Sequence, residues 1–299
     1  YLEIVFVEDA LNLLNEYNDI YGDEWAILFI YSRIYTELDN VKESIKYLHR
    51  CYKIERDNVD CLIGLFYAYV QLGKLNRAEK FLIKARSLEP NNELVVNADI
   101  WLYTETSKFE KAIDIFEKKR DIFVDNPEVL RNIGIAYQRQ GSEQKAESCF
   151  IEALSLSSHF DDARDLLADI YIYQGKPEKS IQLYETYLVE SPNNIRTLSR
   201  LVFCYSQANN YEEAENIARQ TIRNYPNSPI GYVDLAYVFL NKEEYDSAIE
   251  SSEKALDVSP LDPEAWRVKA ISYSEKGEID KSEKAFIEAL SLDGENPEI

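Results

Sequence analysis

Three aspartates, Asp162, Asp165 and Asp169, are spaced by three and four residues, which puts their carboxylates on one face of a helix. Clustered carboxylates hold a calcium ion or perform acid–base chemistry when other groups complete the site. This segment lacks the loop, the glycine and the further ligands of a calcium site, and no histidine, lysine or serine is placed as base or nucleophile. The sequence therefore favours a solvated acidic face, with a basic side chain of a partner as the alternative occupant.

The cysteines and histidines form no stronger constellation. No metal-ligand spacing and no nucleophile–base pair is found among them, so we predict no cofactor, no metal site and no enzymatic activity. We expect the cysteines to be small core residues with free thiols, which favours a reducing, cytoplasmic location; an extracytoplasmic bacterial domain is the alternative. The residues are Cys51, Cys61, Cys149, Cys204, His49 and His159.

The net charge of the chain restricts its partners. A charge of −21 opposes binding to nucleic acid and to anionic membrane surfaces, because both carry negative phosphates. No apolar run approaches the ~20 residues that a membrane span requires. We expect most of the Asp and Glu side chains to solvate helix surfaces, and attraction to a basic partner is the alternative.

These side chains are carried on a pattern that repeats every 34 residues. With Pro127 as position 1, position 11 is aromatic and position 20 is Ala or Ser in every copy, because a small residue lets two helices approach and a large one fills the space opposite. Position 11 is Tyr35, Tyr69, Tyr103, Tyr137, Tyr171, Tyr205, Phe239 and Tyr273. Position 20 is Ala10, Ser44, Ala78, Ala112, Ala146, Ser180, Ala214, Ala248 and Ser282. Position 15, where the first helix has to stop, is Asp39, Gly73, Ser107, Gly141, Gly175, Asn209, Glu243 and Gly277.

The copy that starts at Pro127 shows how the helices are predicted. Apolar residues recur at helical spacing over 128–139 and again over 143–156, and Gly141 between them ends the first helix. In the preceding copy, the second helix is expected to run on through Phe123. Neither helix of a copy buries its apolar stripe alone, so adjacent copies have to stack.

A helix–turn–helix of 34 residues with a small residue at position 8, Tyr at 11, Gly at 15, Ala at 20 and 27 and Pro at 32 resembles the tetratricopeptide repeat. The resemblance implies an all-α fold, a right-handed superhelical solenoid of antiparallel helix pairs. Residues 1–24 match the second half of a truncated repeat, and 297–299 form a tail. Because neither end carries a capping helix, we expect a segment of a longer protein. The eight full repeats are 25–58, 59–92, 93–126, 127–160, 161–194, 195–228, 229–262 and 263–296.

The resemblance also implies where a partner binds. In this family the first helix of each repeat lines a concave groove. Position 9, which points into it, is apolar or aromatic in six of the eight repeats here, as is typical of a binding face. The alternative is a tightly wound superhelix in which these side chains pack against the next repeat. The predicted partner-binding residues are Arg33, Ile63, Tyr67, Trp101, Arg131, Ile135, Arg139, Asp165, Asp169, Phe203 and Tyr237.

The predicted function is that of a protein–protein interaction scaffold, which holds a peptide or a partner segment in this groove. One alternative is the non-catalytic targeting or substrate-positioning part of a larger enzyme or assembly complex, and another is an array that self-associates end to end. Two familiar subclasses do not fit. No repeat has the Asn at position 9 that a carboxylate clamp needs, and Asn132 alone has the Asn at position 6 that an asparagine ladder needs.

Overall fold

The computed structural model describes residues 11, 13–17, 20, 22–122 and 126–292. Within these ranges the regular structure is helical, and the predicted all-α fold class is confirmed. The truncated repeat at 1–24 lies largely outside the described residues, and the tail at 297–299 lies wholly outside them. The chain divides into an N-terminal body, Tyr1–Leu156, and a C-terminal body, Ser157–Ile299.

Each body is a stack of helix pairs, as in a solenoid. In the N-terminal body the described helices are α1 (Trp25–Glu37), α2 (Val41–Ile54), α3 (Val59–Gln71), α4 (Leu75–Leu88), α5 (Glu93–Glu105), α6 (Phe109–Lys119), α7 (Pro127–Arg139) and α8 (Glu143–Leu156). In the C-terminal body they are α9 (Asp161–Tyr173), α10 (Pro177–Glu190), α11 (Ile195–Gln207), α12 (Tyr211–Asn224), α13 (Ile230–Asn241), α14 (Tyr245–Val258), α15 (Pro263–Glu275) and α16 (Ile279–Leu292).

The predicted helix bounds hold at α7 and α8 but not at α6. Helix α7 begins one residue before the predicted start, and α8 matches its prediction. Helix α6 ends at Lys119 and tightens into a 3₁₀ turn over Arg120–Ile122. The expectation that this α-helix continues is therefore wrong as far as Ile122, and Phe123 lies outside the described residues.

The first helix of every predicted repeat ends in the same way. The residue at position 15 has a positive φ in all eight repeats, from 54° at Asp39 to 80° at Gly141. The next backbone N–H then bonds to the carbonyl of the aromatic residue at position 11, as Lys74 does to Tyr69 at 2.9 Å. This arrangement satisfies carbonyls that the helix end would otherwise leave unpaired.

The small residues at position 20 lie where two helices of a repeat meet. Each one that the structure describes is at most 5% exposed, so the predicted packing column is confirmed from Ser44 to Ser282. A similarly close approach occurs at Gly134, where an added Cβ would lie 2.4 Å from the ring of Phe150. Close packing of this kind leaves no room for an extra methyl group.

The cysteines differ from their prediction. Cys51 and Cys61 form a disulfide between α2 and α3, with Cα atoms 6.3 Å apart. The prediction of free thiols is wrong for this pair, so the argument for a reducing compartment no longer holds. A separation of ten residues in the sequence did not indicate that the two helices bring these cysteines together. Cys149 and Cys204 are free and buried. Burial raises the pKa of their thiols to about 11 and about 12, which keeps both protonated near neutral pH.

Candidate binding grooves

Two of the three aspartates of the triad on α9 take part in ion pairs, and one of them is buried. Asp165 is 7% exposed; it accepts a hydrogen bond from the hydroxyl of Tyr184 at 2.7 Å and another from Arg196 Nη2 at 2.7 Å. Arg200 Nη2 lies 3.5 Å from the same carboxylate, and Arg196 also approaches Asp162 at 3.8 Å. The prediction of a solvated face is therefore wrong for Asp165, whose oxygens are engaged within the chain.

Asp162 and Asp169 are the exposed members of the triad. The pKa of Asp169 is raised mainly by loss of hydration, while Arg200 lowers it and Asp165 raises it. Among the described residues, no group of three His, Cys, Asp or Glu side chains is arranged to hold a metal ion. We interpret Asp162 and Asp165 as parts of a structural ion-pair network with Arg196 and Arg200.

Helices α11, α13 and α15 pack side by side, and a cavity of about 500 Å³ opens between them. Two residues of the predicted set line it. Phe203 on α11 is 43% exposed, and Tyr237 on α13 is half-buried. The Tyr237 hydroxyl donates to Glu264 at 2.9 Å and accepts from Arg267 Nε at 3.1 Å, which fixes the ring in the cavity. Burial first, and Glu264 second, raise the pKa of Tyr237 to about 12.

The same cavity is lined by Asp234, which the sequence analysis did not select. The signal for it is a lone acidic residue in the otherwise uncharged helix α13. The hydroxyl of Ser199 donates to Asp234 Oδ1 at 2.7 Å, whereas Oδ2 is buried without a hydrogen-bond partner. Burial raises the pKa of Asp234 to about 7, against the opposing effect of the Ser199 hydrogen bond.

The N-terminal body has a smaller groove that combines two other predicted residues. Arg33, which is exposed, and Tyr67, which is half-buried, line a cavity of about 180 Å³. Trp101 lies edge-on to Phe66 at 5.8 Å and to Tyr67 at 6.5 Å between ring centroids. Trp101 is half-buried and packs against the hydrophobic core that contains Phe66. Its indole therefore belongs in part to the core, and Trp101 is not one of the residues that line this cavity.

The other predicted residues of this body range from buried to exposed. Ile63 is 4% exposed within the core, so the expectation that it presents apolar surface in a groove is wrong; packing of α3 against its neighbours covers it. Arg131 and Ile135 on α7 are half-buried, and Arg139 is exposed at the last turn of that helix. The Nε of Arg131 is buried without a hydrogen-bond partner.

No helix of the described residues combines the length and the apolarity that crossing a bilayer would require.

Comparisons with known proteins agree with this architecture. Three family models, each described as tetratricopeptide repeat, match the chain; the matched residues are 40–98 and 171–232, 205–263 and 233–297, and 127–160. The chain belongs to the tetratricopeptide repeat family. Tetratricopeptide repeat proteins generally act as protein-interaction scaffolds, and the fold is typically non-catalytic.

The chain spans well under half the length of the similar curated proteins named below. Human protein O-mannosyl-transferase TMTC1 is 23% identical over 165 residues, which is 54% of this chain and 19% of that protein. Superkiller protein 3 of Schizosaccharomyces pombe is 24% identical over 64% of this chain and 15% of its own length. The TPR repeat-containing protein MJ1428 of Methanocaldococcus jannaschii is 26% identical over 66% of this chain and 37% of its own length.

A solved structure shares the fold. The crystal structure of a tetratricopeptide repeat protein from Parabacteroides merdae matches 89% of this chain and 98% of that one, with a TM-score of 0.56 and 17% identity. At this identity the likeness shows the fold of the helix pairs.

Proposed function

We propose that this chain is an interaction scaffold that holds a segment of a partner protein in the C-terminal groove, defined as the cavity between α11, α13 and α15. The observation that carries the proposal is the exposed ring of Phe203 at the edge of a cavity of about 500 Å³. Phe203 is 43% exposed as a residue. Covering it would remove roughly 90 Å² of apolar surface from water, a gain of about 2 kcal/mol. Ile230 and Val233 continue the apolar wall inside the cavity.

The proposal favours this groove over the N-terminal one for two reasons. The N-terminal cavity is smaller, at about 180 Å³ against about 500 Å³. In addition, Trp101 and Tyr67 already pack against each other and against the core, whereas Phe203 leaves its ring in water. Binding energy at an interface comes mainly from aromatic anchors that become desolvated on binding.

The test is a selection of random dodecapeptides, displayed on phage, against the whole chain. Peptides that bind are then measured against Phe203→Ala, with Phe286→Ala as the matched control. Phe286 is 37% exposed and lies on α16, outside the cavity. We expect Phe203→Ala to weaken binding by about tenfold or more, at about 1.4 kcal/mol per tenfold, while Phe286→Ala leaves it within about twofold. Equal losses in both variants, or none at Phe203→Ala, would contradict the proposal.

A second candidate role is that of a non-catalytic positioning module in a larger protein or complex. It is favoured by the relatives, of which the chain spans 12% to 37%, including proteins named an O-mannosyl-transferase and a BBSome complex member. Reading the coding sequence beyond both ends tests it, and an open reading frame limited to these residues would count against it. End-to-end self-association also remains a prediction, and light scattering across a concentration series tests it.

A further inference from the structure

The carboxyl group of Asp234 is the least satisfied polar group of the C-terminal groove. One oxygen accepts the hydrogen bond from Ser199 at 2.7 Å. The other is buried and has no hydrogen-bond partner. A buried acceptor without a donor costs about 1–3 kcal/mol, and more when it is charged.

The other charged side chains that line this cavity already have partners. Arg200 lies 3.5 Å from Asp165. Asp262 accepts a hydrogen bond from the backbone N–H of Ala265 at 2.8 Å. Arg267 is paired with Glu264. Neither arginine therefore bonds to Asp234. Its unpartnered oxygen lacks a hydrogen-bond donor among the residues that line the cavity.

The walls of the cavity determine what kind of donor fits. Phe203, Val233 and Tyr237 line the cavity together with Asp234 and contribute apolar and aromatic surface to it. A side chain that reaches the carboxylate therefore needs an apolar stem and a polar tip. In the structure the unpartnered oxygen of Asp234 is covered, so a ligand reaches it only when the carboxyl group turns about its broad χ2 torsion. This rotation also moves Oδ1, and the hydroxyl of Ser199 has to follow it.

Building on the proposed scaffold function, we infer that the C-terminal groove captures a lysine side chain of the partner segment, with the ammonium on Asp234 and the methylene stem along Phe203 and Tyr237. A lysine fits better than an arginine because only one oxygen lacks a partner, and a guanidinium fork requires two. The net charge of −21 attracts a cationic segment to the groove from a distance. The ion pair also compensates for the hydration that the ionised carboxylate loses on burial.

The experiment uses the peptides selected from the random dodecapeptide library against the whole chain at pH 8, where Asp234 is ionised. We expect them to share a lysine next to apolar residues. The best peptide is then synthesised with that lysine or with norleucine, which keeps the stem and removes the ammonium. Norleucine should lower the affinity for the unaltered chain by about tenfold or more, the usual size of a charge-assisted hydrogen bond. For Asp234→Asn the two peptides should bind within about twofold of each other.

The outcomes separate this inference from the scaffold function. Selected peptides without a shared lysine, or with arginine instead, would overturn the lysine subsite while leaving the scaffold intact. So would an equal preference for lysine in Asp234→Asn. A library that yields no peptide at all would overturn both. The norleucine comparison on the unaltered chain stands even if Asp234→Asn does not fold.

Discussion

The burial of Asp234 makes a quantitative prediction about stability. Its pKa is about 7 in the folded chain and 3.8 ordinarily, because burial disfavours the ionised form. The folded state therefore binds this proton more tightly than the unfolded state, and the stabilisation is present at low pH and is lost as pH rises from about 4 to about 7. Over the whole range the difference amounts to roughly 4 kcal/mol, of which about 3 kcal/mol falls between pH 5 and pH 8.

Asp234→Asn removes this titration and keeps the size of the side chain. We expect the free energy of unfolding of the variant, relative to the unaltered chain, to increase by about 3 kcal/mol between pH 5 and pH 8. The predicted quantity is how this difference in free energy of unfolding changes with pH. The substitution also places an NH₂ group where Oδ2 lies, which shifts the free energy by an amount that does not depend on pH. Urea unfolding followed by far-UV circular dichroism at several pH values measures it.

The matched control is Asp257→Asn, which removes the same charge from an exposed position on α14. Its unfolding free energy should follow that of the unaltered chain across the pH range. Parallel curves for Asp234→Asn and the unaltered chain, within about 0.5 kcal/mol, would refute the argument, because a shift of the size given by burial cannot be hidden in the offset.

Three further predictions concern packing and backbone geometry, and urea unfolding midpoints test each of them. Gly134→Ala should destabilise the chain by about 2 kcal/mol, because its Cβ would overlap the ring of Phe150; an unchanged midpoint would show that the ring yields. Glu243→Gly should stabilise it by about 1 kcal/mol, since Glu243 has a φ of 62°, and Gly277→Ala, at a φ of 77°, should do the reverse. Trp101→Ala should cost about 3 kcal/mol, and a loss of peptide binding without a loss of stability would instead assign Trp101 to the binding surface.

The repeat pattern alone predicts most of the local structure, because it acts through neighbours in sequence. The aromatic residue at position 11, the stop at position 15 and the small residue at position 20 are set by helix geometry and by contact within one helix pair. They predicted the bounds of α8, the end of a helix before Glu243 and the burial of Ala146, and the structure has all three. Position 15 accepts residues other than glycine at positive φ because the N–H of the next residue bonds to the carbonyl at position 11, and this hydrogen bond stabilises the turn.

The grooves depend on contacts that the repeat pattern does not encode. Asp165 is neutralised by Arg196, which is 31 residues away, and Asp234 receives its hydrogen bond from Ser199, 35 residues away. Spacing along one helix cannot show whether an adjacent repeat buries a carboxylate, pairs it or leaves it in water. The same limit explains why Ile63 was expected in a groove and lies in the core.

The sequence by itself determined the helix pairs of this protein, because apolar periodicity and helix stops act over a few residues. Only the tertiary structure decided which side chains remain open to a partner. That choice depends on how closely consecutive first helices approach. It left Phe203 exposed and the Oδ2 atom of Asp234 buried at one cavity.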